Sequence, residues 1–127
     1  YKEVEGNPQI KSRIRQIQRQ MARSRMMKDV ERADVVITNP THYAVALAYD
    51  SALHNAPVVL AKGADKLAER IKEIASNNDI PVVENEALAQ TLYRTVEVGD
   101  EIPETLYQAV AEILAFIYSL KGEEVMK

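Results

Sequence analysis

The chain has 127 residues, 46% of them apolar, and no cysteine: enough for one domain around a modest core and too little for two. The missing cysteine removes disulfides, thiolate nucleophiles and cysteine metal sites, and no apolar run approaches the ~20 residues that cross a bilayer. The net charge of -3 hides an asymmetry, because residues 1–32 carry nine Lys/Arg against four Asp/Glu while the remainder carries seven against fifteen. A basic segment before an acidic globule suits nucleic acid, an anionic membrane surface or simply a solvated helix face, and charge alone leaves all three open.

From Gln9 to Arg32 the sequence is polar and rich in helix formers, with Ile10, Ile14, Ile17, Met21, Met26 and Met27 as sparse apolar positions. It reads as a long exposed helix started by Pro8, a connector that packs poorly on the globular part of the chain. Val35-Val36-Ile37-Thr38 is a β-branched strand and Tyr43 to Tyr49 a second, with Asn39-Pro40-Thr41-His42 as the turn between them. Pro57 to Ala61 gives a third strand, residues 64–77 a helix and Ile80 to Val83 a fourth strand, an order that implies a parallel crossover. A short helix from Glu86 to Tyr93 presents Leu88, Leu92 and Tyr93, and Gly99 falls in the loop beyond it. Pro103 opens a last helix over 104–120, where Leu106, Tyr107, Val110, Ile113, Leu114, Ile117 and Leu120 recur at helical spacing and predict one broad buried face. The chain thus divides into a connector helix over 1–32, a globular α/β domain over 33–122 and a frayed tail over 123–127.

No phosphate-cradling glycine loop, zinc-binding helix or nucleophile elbow is present. Two histidines, His42 and His54, are too few for a histidine-rich metal site, so neither a metal nor a cofactor is expected. Asn39-Pro40 is different. Asparagine normally ages when the next backbone nitrogen attacks its side-chain carbonyl, but the proline nitrogen carries no hydrogen and that route is closed. The remaining reaction is attack by the Asn39 side-chain nitrogen on its own backbone carbonyl, which forms a succinimide and expels Pro40 as an amine. The reaction is slow in a flexible peptide, and a rigid turn that holds the atoms in a near-attack arrangement supplies up to ~7–11 kcal/mol in favourable intramolecular cases.

Asn39 and Pro40 fit the first two positions of a type I or type II turn. A type II turn asks for positive φ at its third position, where β-branched Thr41 is disfavoured, so that turn would store strain released by the cut. His42 or water would protonate the leaving nitrogen. The bland alternative is that Asn-Pro merely opens a turn, as most such dipeptides do. Asn7-Pro8 is the internal control: the same two residues at a helix start, with no strand before them.

The segment Thr38-Asn39-Pro40-Thr41-His42-Tyr43-Ala44-Val45-Ala46-Leu47 closely resembles the Asn-Pro-Thr-His region in the cytoplasmic domains of the FlhB/YscU family of type III export switch proteins. Further matches run through Ala56-Pro57, Ala61-Lys62-Gly63-Ala64, Leu88-Ala89 with Leu92-Tyr93-Arg94, and Ile102-Pro103 with Leu106 to Glu112. Tyr43 to Leu47 and the last helix look flagellar. The resemblance implies a small mixed sheet of about four strands surrounded by helices, joined through the long N-terminal helix to a membrane-embedded part, on the cytoplasmic side of the bacterial inner membrane. It also implies single-turnover self-cleavage at Asn39-Pro40, with Asn39, Pro40, Thr41 and His42 as the reacting motif, and a change from rod and hook substrates to filament substrates. The partners it implies are export-gate membrane proteins including FlhA, rod and hook export substrates and the hook-length ruler protein. Nucleic acid recedes, since the basic helix has no interleaved aromatics. Ala56, Pro57, Ala111 and Leu114 match positions that family members use to capture short apolar export signals. The rival expectation is a docking module of an injectisome-type apparatus whose turn never reacts.

Overall fold

The computed structural model describes residues 7–40 and 42–126, with side chains up to Lys121. Helix α1 (Pro8–Asp29) starts where Asn7 caps it, its side-chain oxygen accepting from the N–H groups of Gln9 at 2.8 Å and Ile10 at 3.4 Å. No residue of α1 is buried, as its sparse apolar positions predict. Its end is another matter. Met26 and Met27 lie against the core, and Val30, in a 3₁₀ turn over Val30–Arg32, is fully buried there. The connector read over residues 1–32 therefore finishes inside the globule, because one apolar side chain at a helix end is enough to dock it.

Strands β1 (Val35–Asn39), β2 (Tyr43–Ala48), β3 (Val58–Ala64) and β4 (Val82–Glu84) form one sheet in the order β3-β2-β1-β4. β1 and β2 make an antiparallel hairpin, β2 and β3 are antiparallel, and β1 and β4 are parallel. Helix α2 (Lys66–Asn77) carries the chain from β3 at one edge to β4 at the other, the crossover that the strand-helix-strand order implied. The α/β class and the mixed four-stranded sheet agree with the sequence reading. Strand β3 extends to Ala64, beyond the expected Ala61, and β4 begins at Val82 rather than Ile80.

Both faces of the sheet are covered. Val35, Ile37, Val45, Leu47 and Val59 face α3 (Glu86–Thr95) and α4 (Tyr107–Met126), meeting Leu88, Ala89, Leu92, Val110, Leu114 and Ile117. Val36, Ala44, Ala46 and Ala61 face α2, meeting Ala68, Ile71, Ile74 and Ala75. Val59 and Ala61 lie two apart yet on opposite faces, because a bulge shifts the β2–β3 register between Ala46 and Leu47. The apolar face of α4 is narrower than its periodicity predicted: Tyr107 and Leu120 are exposed. The helix also runs on to Met126, past residue 120 where the sequence reading ended it and through the tail expected to fray. Among the described residues no helix is long and apolar enough to cross a membrane.

The α2 face is built from small residues, so helix and sheet approach closely. At Gly63 an added Cβ would lie 2.7 Å from Cγ and 2.9 Å from Cβ of Leu67 in the first turn of α2. Gly63→Ala is therefore expected to destabilise the domain by ~1–3 kcal/mol in a denaturant titration, and adding Leu67→Ala should recover part of that loss as a non-additive pair. Full additivity of the two changes would contradict the contact.

Candidate functional site

Strand β1 is held up to the residue before the Asn-Pro bond. Thr38, buried despite its hydroxyl, pairs with Ala44 on one side and Glu84 on the other, and its carbonyl accepts from the Asn85 N–H at 2.9 Å. Asn39 closes the ladder opposite Tyr43. Between them the turn is hydrogen-bonded across its mouth: the His42 N–H donates to the Asn39 carbonyl oxygen at 3.0 Å. That oxygen belongs to the carbonyl which the Asn39 side chain would attack, so one fixed backbone donor already points at the atom where negative charge would develop.

Helix α2 supplies two further holds. The Asp65 N–H donates to the His42 carbonyl at 2.9 Å, and the Lys72 ammonium donates to the Pro40 carbonyl at 3.3 Å. Asp65 stands at φ 52°, a left-handed conformation rare outside glycine, in the N-cap position of α2 but without a side-chain cap bond. Its carboxylate lies 4.0 Å from Nδ1 of His42, both groups largely exposed, so water screens the pair. Pro40 is exposed. Thr41 lies outside the described residues, and with it the strain expected of a type II turn.

The far side of the turn is anchored by aromatic packing. Tyr43 stacks on Tyr93 with ring centroids 4.5 Å apart, and Lys62 lies over Tyr93 at 5.3 Å while donating to the carbonyls of Tyr93 and Val96 at 2.9 and 3.0 Å. That satisfies the C-terminal end of α3 with a charge of the favourable sign. The other Asn-Pro pair behaves differently. The side-chain oxygen of Asn7 is engaged by two backbone donors at a helix start, which is the ordinary capping use of the residue.

At the other end of the sheet, Ala56, Pro57, Ala111 and Leu114 come together. They line an apolar hollow of about 220 Å³ with Tyr49, Asn55 and Tyr107. The sequence reading missed those last three, although Tyr107, Ala111 and Leu114 stand at i, i+4 and i+7 on one helix. Ala56 and Leu114 also belong to the core, so they serve as the floor, with Tyr49 and Tyr107 as exposed banks. A larger and more polar hollow of about 460 Å³ shares the Tyr49 wall and includes Arg32, Asp34 and His54. Tyr118 beside them has its pKa raised, first by burial and then by Asp34 and Tyr49. The hollows and the turn are separated by the length of a strand, roughly 15 Å.

Comparison with known proteins fits this geometry to a family. A family model described as the FlhB HrpN YscU SpaS family matches residues 1–117. The chain belongs to that family. The flagellar biosynthetic protein FlhB of Yersinia enterocolitica is 57% identical over 121 residues, 95% of this chain and 32% of that protein, and FlhB of Escherichia coli K12 is 54% identical over the same coverage. The chain thus spans about a third of the length of the curated relatives it matches. The crystal structure of the cytoplasmic domain of FlhB from Shewanella putrefaciens shares the fold with a TM-score of 0.77 at 41% identity, covering 80% of this chain and 78% of that one. Membership in the FlhB HrpN YscU SpaS family agrees with the resemblance carried by Thr38 to Leu47 and by the matches along the rest of the chain.

The pairing of β1 generates a prediction for a chain broken after Asn39. Val35, Val36 and Ile37 are fully buried, and β1 is paired along both edges, to β2 and to β4. Burying each of those side chains is worth ~1.5–3 kcal/mol, and the pairs that β1 makes from Val35 to Thr38 all lie before the Asn39–Pro40 peptide. Fragments 1–39 and 40–127 are expected to coelute on size exclusion under native conditions and to separate in denaturant. Native separation would mean that the strand does not carry the cohesion.

Proposed function

We propose that this domain cuts its own backbone once, between Asn39 and Pro40, and serves as the cytoplasmic switch of a flagellar type III export apparatus, where the cut changes export from rod and hook substrates to filament substrates. The observation that carries the chemistry is the turn itself: a bond between Asn and Pro at the end of a strand locked on both edges, with the His42 N–H on the carbonyl to be attacked. The Asn39 side-chain nitrogen bonds to its own carbonyl carbon, and the carbon–nitrogen bond to Pro40 breaks. One proton leaves the amide nitrogen and one reaches the proline nitrogen, from His42 or from water. Water then opens the succinimide. Nothing regenerates Asn39, so the reaction happens once per molecule and the domain is not a turnover enzyme.

The likeness to flagellar FlhB proteins supports placing the domain on the cytoplasmic side of the bacterial inner membrane, below the membrane-embedded part of a longer protein. Export-gate proteins including FlhA, the hook-length ruler protein, and rod and hook subunits are then its partners. The hollow floored by Ala56 and Leu114 and flanked by Pro57 and Ala111 receives short apolar export signals. Its size suits one large apolar side chain, and the Tyr49 and Tyr107 banks suit an amphipathic rim.

Intact mass tests the chemistry. Wild-type chain is expected to yield fragments 1–39 and 40–127, and Asn39→Ala to remain whole, since nothing replaces the nucleophile. Pro40→Ala should cut more slowly or divert to side-chain aging, and His42→Ala should cut with a smaller delay because water substitutes for a proton donor. Cutting after residue 39 in Asn39→Ala would rule out the cyclisation route. For the hollow, Ala56→Asp is expected to weaken binding of a rod or hook subunit peptide by at least about tenfold, the effect of a buried unpaired carboxylate on an apolar contact. Unchanged affinity in a folded Ala56→Asp chain would remove the signal-binding role.

A further inference from the structure

The segment between β2 and β3, residues 49–57, builds two hollows that share one wall, Tyr49. Its second half, Asn55 to Pro57, belongs to the apolar hollow floored by Ala56 and Leu114. Its first half, with Asp50, Leu53 and His54, belongs to the larger hollow of about 460 Å³, where Arg32 and Asp34 face it from the start of β1. The shared wall is pinned, because the Tyr49 N–H donates to the Asp34 carboxylate at 2.7 Å while the Asp34 N–H donates to the Leu47 carbonyl at 2.8 Å. His54 of one hollow and Asn55 of the other are consecutive, ~3.8 Å apart at Cα, so one short bound peptide can occupy both.

The larger hollow combines apolar and charged walls. Leu53, 74% exposed, supplies the apolar part with Val58 and Leu60. Of the charged groups, Arg32 is engaged by Asp29 at 2.8 Å and His54 faces Glu101 at 3.3 Å, each a carboxylate outside the lining. Asp34 and Asp50 are left. Asp34 accepts from the Tyr49 N–H and Asp50 from the Ala52 N–H at 2.9 Å, and neither forms an ion pair among the described residues. A backbone donor satisfies a hydrogen bond but leaves the charge, so the uncompensated charge of this hollow is negative. The raised pKa of Tyr118, due to burial first and then to Asp34 and Tyr49, reports the same field. Apolar walls beside free carboxylates suit a side chain with an apolar stem and a cationic end, lysine or arginine.

We propose that the larger hollow is a second subsite for the peptide held by the apolar hollow, receiving a lysine or arginine within about four residues of the apolar anchor, one turn of helix or less, with Asp34 and Asp50 as the residues that select it. This rests on the signal-binding reading of the apolar hollow. A lone apolar hollow accepts any chain with a large apolar side chain, whereas two adjoining subsites of different chemistry select a pattern. Asp34 is half-buried and Asp50 exposed, so the pair discriminates among peptides by charge, and salt weakens the discrimination. A carboxylate at the same place in the peptide would meet two like charges and is rejected.

Fluorescence anisotropy with three labelled peptides tests this. Each has a central phenylalanine in a glycine-serine backbone and carries lysine, glutamine or glutamate four residues to either side. The lysine peptide is expected to bind at least about tenfold tighter than the glutamate peptide at ~20 mM salt, with glutamine between, and the ratio to shrink to about twofold at ~500 mM. Asp34→Asn with Asp50→Asn keeps an acceptor for both backbone N–H groups and removes the charges, and should bring the ratio within about twofold at low salt. Should that double variant not fold, the salt series on the unaltered chain decides. Ala111→Trp, which fills the apolar hollow without adding charge, should weaken all three peptides by at least about tenfold. Equal affinities at low salt, or tighter binding of the glutamate peptide, with Ala111→Trp still weakening all three, would overturn the second subsite and leave the signal-binding reading standing. A lysine preference that survives the double variant unchanged would overturn the assignment to Asp34 and Asp50. Failure of every peptide to bind would overturn the reading and the inference together.

Discussion

Strand β1 is gripped on four sides: β2 along one edge, β4 along the other, α2 over one face and α3 with α4 over the opposite face. Three consecutive side chains, Val35, Val36 and Ile37, are fully buried because the alternation of a strand sends them to two different cores. A turn that leaves such a strand inherits a fixed starting direction. The rigidity on which the proposed cut would draw is thus the same rigidity that would keep the strand in place once its end is free. Cohesion after a break at the turn needs no separate device.

The two faces of the sheet do different work because their side chains differ in size. On the α2 face, Ala44, Ala46, Ala61 and Gly63 leave little between helix and strands, and Leu67 fills the space above Gly63. Close approach puts Asp65 and Lys72 within reach of the turn. On the other face, Leu47, Leu88, Leu92 and Val110 set the helices further out, and the divergence between the start of β3 and α4 leaves the apolar hollow. A larger residue at Ala46 or Ala61 would therefore act on the turn indirectly, by lifting α2.

Much of this was legible in the sequence for a local reason. The β-branched run at Val35 to Thr38 and the apolar run from Tyr43 are strands by composition, and the chemistry of the Asn39-Pro40 pair between them comes from the missing hydrogen on proline. What was illegible depends on tertiary contact. The bulge in β3 cannot be seen because Val59 and Ala61 are both apolar and suit either face. Val30 gives no signal inside a polar helix, although it is fully buried. The tail was expected to fray, yet the glycine at 122 only weakens a helix, and the helix continues to Met126. Lysine is ambiguous by nature: Lys62 caps α3, Lys72 reaches the Pro40 carbonyl, and the many lysines and arginines of α1 face outward. Ala56, Pro57, Ala111 and Leu114 were singled out only by resemblance, since four apolar residues spread over two elements carry no pattern of their own.

The placement of the two candidate sites constrains how one can influence the other. Tyr49, Asn55, Ala56, Pro57, Tyr107, Ala111 and Leu114 all lie after Pro40, so the apolar hollow belongs wholly to the fragment on the C-terminal side of the cut. The exposed helix α1 belongs wholly to the fragment that precedes it. In the unbroken chain the hollow is tied to α1 by a covalent chain through β1. In a chain broken after Asn39 the tie would be non-covalent, consisting of the β1 ladder, the three buried side chains and Val30. Because the turn stands at the opposite end of the sheet and β1 stays fixed, the shape of the hollow need not change for its behaviour to change. What a break there would alter is mechanical: a pull on α1 that an unbroken backbone transmits would be borne by the non-covalent contacts of β1 with its neighbours. The apolar surface that would receive a partner would remain whole in one piece, because every residue lining it follows Pro40.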